Sequence, residues 1–280
     1  MALISQNLIE NVSMGPSEAT ESSLRSTRDK IVELLGTDYE VFLQGSYKND
    51  TAISNINDID IVAVRIANVP QSWEQIFDDI IARIASYTPY RLGVSKGQKC
   101  INLNLQGKHM DIVPACRTAA SNNQYSEPIF IFNRRTNLVI NNYPKTHYAN
   151  GSTKNQNTNQ KYKKVVRLIK NFANNHNLMS IGPSFYLECL IYGYPVQSFN
   201  NDLISSFYGI IWHICYGQNF NYQFVTVAGD KLVISDSEWP LQSFNQFKAF
   251  LAGKTAHLAN AIAATNQTNA DYYFRQFFNL

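Results

Sequence analysis

The chain lacks most of what would mark a secreted, membrane-bound or zinc-stapled protein. Its four cysteines (Cys100, Cys116, Cys189 and Cys215) make no CxxC pair and have no histidine at ligand spacing. That argues against a structural zinc site and for reduced thiols. The opening residues MALISQNLIENVSMG have no basic n-region and include Glu10, so they do not read as a secretory signal. No apolar run reaches membrane-spanning length: LISSFYGIIWHICYG is too short and too polar, and reads as a buried helix. The net charge is only +3 over 280 residues, which argues against coating of nucleic acid through bulk electrostatics. No internal repeat, basic tail or nucleic-acid module stands out. A soluble, cytoplasmic monomer without an obligate nucleic-acid activator is expected.

Carboxylates are missing from one long interval. Between Glu127 and Glu188 there is no Asp or Glu, while Arg134, Arg135, Lys145, Lys154, Lys161, Lys163, Lys164, Arg167 and Lys170 all fall there. Two readings stand: cations placed on one wall of a cleft, or a solvated helix face with a flexible loop.

What is present is ample material for a core: 45% hydrophobic and 12% aromatic residues, enough for one large domain or two packed ones. SEATESSLRSTRDKIVELLG has the start and stop signals of a helix ending at Gly36. YEVFLQ reads as a strand, SYKNDTAIS as a short helix or turn, and IDIVAVRI as a second strand. QSWEQIFDDIIARIASY has helical apolar spacing, and YRLGVSK, CINLNLQ and HMDIVPAC alternate as strands. Past residue 144 the periodic segments read as helical, with YANGSTKNQNTNQ as an exposed loop. The expected class is α+β: a mixed sheet lobe over 1–143 and a helical lobe over 144–280, with a ligand cleft between them.

The segment VFLQGSYKNDTAISNINDIDIVAV (41–64) carries the chemistry. Strand alternation places Asp58 and Asp60 on one face. Two carboxylates so close repel unless a cation lies between them, which suggests a hard metal such as Mg²⁺. Asp111, in HMDIVPAC, is a third strand aspartate. If its strand pairs beside the first, three carboxylates converge in a way that suits two Mg²⁺ ions and phosphoryl transfer. The alternative is a set of edge or turn aspartates facing water. The preceding Gly45-Ser46 favours the first reading, because glycine admits a phosphate close to the backbone while a helix N-terminus and a hydroxyl donate to it.

GSYKNDTAISNINDIDIVAV together with MDIVPA resembles the nucleotidyltransferase core of the DNA polymerase β superfamily. NNYPKTHYANGSTKNQNTNQKYKKVVRLIKNFANN and GPSFYLECLIY extend the resemblance to the bacterial cGAS/DncV-like nucleotidyltransferases, most of all their CdnE branch. It covers most of residues 20–195. The resemblance implies a polymerase β-like fold and a two-metal enzyme that joins ribonucleoside triphosphates into a cyclic dinucleotide. A uridine is expected in the product, hence UTP as substrate with ATP as a candidate partner nucleotide. The cofactor would be two Mg²⁺ ions, with Mn²⁺ able to substitute. The product would be a second messenger in anti-phage (CBASS) defence, sensed by a separate effector protein. By the same resemblance Asp58, Asp60 and Asp111 ligate the metals, and Gln44, Gly45 and Ser46 hold the nucleotide. Lys170 and Ser184 reach the triphosphate, and Asn142 reads the uracil edge.

Each of these residues also has a plainer reading: Lys170 as a surface helix lysine, Ser184 as the cap of its helix, Asn142 as a turn residue. Tyr47, Tyr143, Tyr148 and Tyr186 are candidates to stack on a base or simply to pack, and His109 and His147 receive no role. Two other functions stay open: a polymerase β-like enzyme that modifies RNA or protein, and a catalytically dead nucleotide-binding scaffold.

Overall fold

The computed structural model describes residues 2–54, 58–66, 72–105, 108–117, 128–218, 220 and 222–280, with the side chains of Asp58 and Lys108 outside that description. The chain divides into a sheet unit (Pro16–Asn49 and Asn55–Tyr148) and a helical unit (Met1–Gly15, Asp50–Ser54 and Ala149–Leu280). Among the described residues no helix is long and apolar enough to cross a membrane.

The sheet unit holds helices α2 (Glu18–Leu35), α3 (Gly45–Lys48) and α4 (Trp73–Ser86). Its strands are β1 (Tyr39–Gln44), β2 (Asp58–Arg65), β3 (Val94–Lys96), β4 (Ile101–Leu105), β5 (Lys108–Cys116), β6 (Ile129–Asn133) and β7 (Leu138–Asn142). The strands form one sheet in the order β1-β2-β5-β4-β3, with β6 joined to the end of β5 and β7 to β6. β2 and β5 run parallel; every other pair is antiparallel.

Alternation along β2 sorts its residues cleanly. Ile59, Ile61 and Ala63 face α2 and α4 in a core with Leu24, Ile31, Phe77, Ile80 and Ile84. Val62 and Val64 face the other way, into a smaller cluster with Val113, Ala115, Ile129 and Ile131. The helices that cover the first face begin and end as their sequences dictate. Ser17 and Ser72 accept hydrogen bonds from Thr20 and Gln75 backbone N–H groups at the starts of α2 and α4. Gly36 closes α2 at φ 63°, a left-handed value that glycine adopts without strain.

The helical unit comprises α1 (Gln6–Ser13), most of α5 (Pro144–Asn157), and α6 (Lys161–Asn175), α7 (Ser184–Tyr192), α8 (Leu203–Tyr216), α9 (Leu241–Ala263) and α10 (Gln267–Phe278). α6 is its axis, with Val165, Val166, Leu168, Ile169 and Phe172 fully buried among aromatics that include Phe207, Phe247 and Phe277. The N-terminus joins this unit rather than the sheet. Asn171 donates to the Val12 carbonyl at 2.8 Å, and Arg167 Nε to that of Ser13 at 2.6 Å.

Two expectations change here. The division falls at 148/149 with residues 1–15 and 50–54 in the helical unit, where the sequence reading placed a single break after 143. Residues 144–157 form a helix, where an exposed loop was expected for 148–160. Pro144 opens that helix, a first-turn position where its missing N–H costs nothing. Asn155 is buried and pins the turn that follows: its side chain bonds Gln160 and accepts from the Lys163 N–H. Asn159 and Gln160 take positive φ there. A polar composition thus conceals a packed helix and a shaped corner.

Buried titratable groups make the stability of the chain depend on alkaline pH. Burial raises the Cys215 thiol to about 12 and holds Cys189 higher still, against an ordinary 9.0. Their contribution is complete below pH 9 and is lost as pH climbs toward the folded values. Burial lowers Lys154 to about 8 from 10.5, with its amino group on the carbonyls of Tyr192 and Tyr194. That group acts in the opposite sense, recovering stability between about 8 and 10.5. The thermal midpoint is therefore expected to fall between pH 9.0 and 10.5, and to fall more steeply in Lys154→Met, as scanning calorimetry across that range would show.

Candidate active site

The register of the sheet builds the site. Gln44 pairs with Asp60, Asp60 with Asp111, and Asp111 with Asn102, so four adjacent strands set a polar row across one face. The next row along pairs Asp58 with His109 and His109 with Asn104. Directly opposite side chains on neighbouring strands lie about 5 Å apart, so Asp60 and Asp111 are immediate neighbours. The expected pairing of the two aspartate strands is thus what the fold contains.

Gly45 is where β1 turns into α3, at φ 69°. A Cβ built there would stand 1.9 Å from Asp60 Oδ2. The glycine is required by the carboxylate behind it as well as by any phosphate in front. Ser46 follows in the first turn of α3. Asn142, at the end of β7, donates from Nδ2 to Gln44 Oε1 at 3.4 Å, and its Oδ1 accepts from the Tyr143 N–H at 3.0 Å. Gln44, Gly45, Asp60, Asp111 and Asn142 therefore belong to one neighbourhood.

Charge accumulates at this place. The Cys100 thiol is pushed up to about 12, first by burial, then by Asp111 and by Asp60. Asp60 and Asp111 offer carboxylate oxygen, the donor set of Mg²⁺ or Mn²⁺ rather than of a soft metal. Among the described residues no group of three or more His, Cys, Asp and Glu is arranged to hold a metal, and the Asp58 side chain lies outside them. The residues fit a hard cation as two described carboxylates plus one more on the same strand.

Lys170 and Ser184 belong to the helical unit and are described there. Lys170 is no surface lysine: it is 2% exposed and donates to Thr51 O, Thr51 Oγ1 and Glu188 Oε2 at 3.2, 3.1 and 2.9 Å. The Thr51 hydroxyl donates to the same Glu188 oxygen at 2.6 Å. All three ammonium protons are thereby used inside the unit. Arg167 likewise meets Asp50, through the carbonyl and the carboxylate, and Lys161 caps carbonyls of residues 199–201. The acid-free segment is therefore rich in cations with structural partners. Ser184 is half-buried at the first position of α7, and the cap itself is Pro183, so the capping reading is replaced.

Of the aromatic candidates, Tyr186 stacks on Trp239 and donates to Glu238, and Tyr47 packs on the sheet core. Tyr148 lies exposed beneath the Lys48 ammonium, 4.3 Å from the ring centroid. Asn102 and Asn104 were not among the candidates, and His109 had no role; INLN and HMD nevertheless alternate with apolar residues, as IDID does.

This arrangement, carboxylates paired across parallel strands behind a Gly-Ser turn, defines a protein of the polymerase β-like nucleotidyltransferase fold. Residues 149–253 match the cGAS/DncV-like nucleotidyltransferase C-terminal helical domain. The chain is 30% identical over 227 residues to the cyclic dipyrimidine nucleotide synthase CdnE of Legionella pneumophila, across 67% of this chain and 76% of that protein. It is 29% identical over 223 residues to the cyclic UMP-AMP synthase of Rhodothermus marinus, across 69% and 75%. The solved structure of the Rhodothermus marinus CdnE c-UMP-AMP synthase with Apcpp and Upnpp superposes with a TM-score of 0.73 at 21% identity, over 94% of this chain and 99% of that one. The chain belongs to the cGAS/DncV-like nucleotidyltransferases, in their CdnE branch.

Gly45→Ala places a methyl group against Asp60 and forces a left-handed backbone on alanine, costing about 1–2 kcal/mol before any clash. Nucleotidyl transfer is expected to fall at least about 100-fold while circular dichroism stays native. Glu188→Ala leaves a buried ammonium without its anion and is expected to cost about 3–5 kcal/mol in chemical denaturation. Most of that loss should return in the double variant K170M/E188L.

Proposed function

We propose that the chain is a cyclic dinucleotide synthase that joins two ribonucleoside triphosphates, at least one of them UTP. The observation that carries this reading is the pairing of Asp60 with Asp111 on parallel strands, with Gly45 packed against Asp60. The relatives' own activities, cyclic UMP-AMP and cyclic dipyrimidine synthesis, support the reaction class.

In the reaction a ribose hydroxyl oxygen bonds to the α-phosphorus of a second nucleotide. The bond to the β-phosphate breaks, and pyrophosphate leaves with the electron pair. A second such step closes the ring. Two Mg²⁺ or Mn²⁺ ions held by Asp58, Asp60 and Asp111 would polarise the phosphoryl oxygens and acidify the attacking hydroxyl. The protein's part is to hold the carboxylates in register, with an aspartate taking the hydroxyl proton. Gly45 and Ser46 present the turn to the phosphates, and Ser184 is assigned to the triphosphate as well. A phosphate role for Lys170 requires it to leave Thr51 and Glu188. We therefore assign it first to anchoring residues 50–54, the segment between the Gly-Ser turn and β2. Asn142 and Gln44 face the base. With one Nδ2 proton on Gln44 and the Tyr143 N–H on Oδ1, Asn142 keeps a donor and an acceptor for the mixed edge of uracil.

The same reading makes the product a second messenger of CBASS anti-phage defence, detected by a separate effector. The test is incubation with all four NTPs and Mg²⁺ or Mn²⁺, followed by mass spectrometry. A cyclic dinucleotide containing uridine is expected from the wild type, and none from Asp60→Asn or Asp111→Asn. Label transferred to RNA or protein instead, or wild-type turnover in either variant, would overturn the assignment. Asn142→Ala is expected to lower the use of UTP relative to ATP about 10-fold, the scale of a lost bidentate contact to a base edge.

A further inference from the structure

His109 stands beside the carboxylates without a part in the chemistry above. Its strand register puts it between Asp58 on β2 and Asn104 on β4. Both ring nitrogens are engaged along the sheet: Nε2 meets Asp111 Oδ1 at 3.0 Å and Nδ1 meets Asn104 Oδ1 at 2.7 Å. A ring fixed at both nitrogens cannot turn, and neither can the carboxylate oxygen it holds. With Nε2–H donating to the Asp111 carboxylate, Nδ1 pairs with the Asn104 side-chain amide, which can turn either its oxygen or its nitrogen toward the ring.

We propose that His109 is a positioning residue, which Asn104 holds in place, and which binds one oxygen of Asp111 so that the other is presented to the divalent cation. Carboxylates that ligate metals are held by hydrogen bonds of this kind, and removing the partner costs about 10- to 100-fold in metal affinity. Asp111 needs such a partner more than most. It lies opposite Asp60 in the sheet, and repulsion would swing an unrestrained carboxylate away before the cation arrives. The imidazole and amide lie in partly or wholly exposed positions, so neither is required for the core.

The proposal rests on Asp111 being a metal ligand, and the experiment separates the two. Mn²⁺ is titrated by electron paramagnetic resonance into the full-length protein, with and without a non-hydrolysable UTP analogue. Wild type, Asp111→Asn, His109→Leu, His109→Gln and Asn104→Leu are compared. His109→Leu is expected to weaken Mn²⁺ binding about 10- to 100-fold. His109→Gln, whose amide N–H can reach the same oxygen, should recover most of that loss. Asn104→Leu touches no carboxylate, yet should show a smaller loss that adds nothing on top of His109→Leu. Wild-type affinity in His109→Leu alongside a loss in Asp111→Asn would overturn the positioning role, as would a glutamine variant no better than leucine. No effect in Asp111→Asn would overturn the metal assignment itself.

Discussion

The structure turns on one register: Asp60 opposite Asp111 on neighbouring parallel strands. Like charges directly opposed across a sheet are destabilising, and here the fold leaves them in place. It surrounds them with neutral donors and acceptors, Gln44 on one side and Asn102 on the other, in a row that spans four strands. Immediately behind that row the same face turns apolar, with Val62 beside Val113 in the small second cluster. The carboxylates thus occupy the boundary between a packed patch and open space, the place where a cation offsets the repulsion most.

The helical unit follows a different rule. Its cations are spent on cohesion: Lys154, Lys161, Arg167 and Lys170 all end on carbonyls or carboxylates within the unit. Residues 50–54 benefit directly, since Asp50 meets Arg167 and Thr51 meets Lys170 and Glu188. A short segment between two functional elements is therefore held by an ion pair at the exposed Asp50 carboxylate and by buried polar bonds at Thr51, the latter costly to break singly.

Much of this was legible in the sequence. Gly45, Asp60 and Asp111 were legible only together: Gly-Ser is common in turns and Asp-x-Asp on exposed strands, and the signal lay in their spacing and in a later strand aspartate. The helices with apolar periodicity and serine caps were legible for the same reason. Residues 148–157 were not: their asparagines and Lys154 look like loop, and only the burial of Asn155 against its neighbours reveals a helix. Lys170 was legible as important and illegible in its contacts, since Glu188 and Thr51 lie far from it in sequence. His109 stood near the motifs but carried no role, because the reaction does not demand a histidine. The break between units misled for a topological reason, as residues 1–15 and 50–54 return to a body built mainly from the C-terminal half.

The pairing of β2 with β5 also bears on how the molecule comes into being. Asp60 and Asp111 are separated by roughly 50 residues of chain, and parallel strands cannot meet until such a loop has closed. The site therefore exists only once that loop has closed, and is lost when the two strands part. Both aspartate strands leave the ribosome before α6 to α10 do, so what the cation site waits for is their pairing rather than their synthesis.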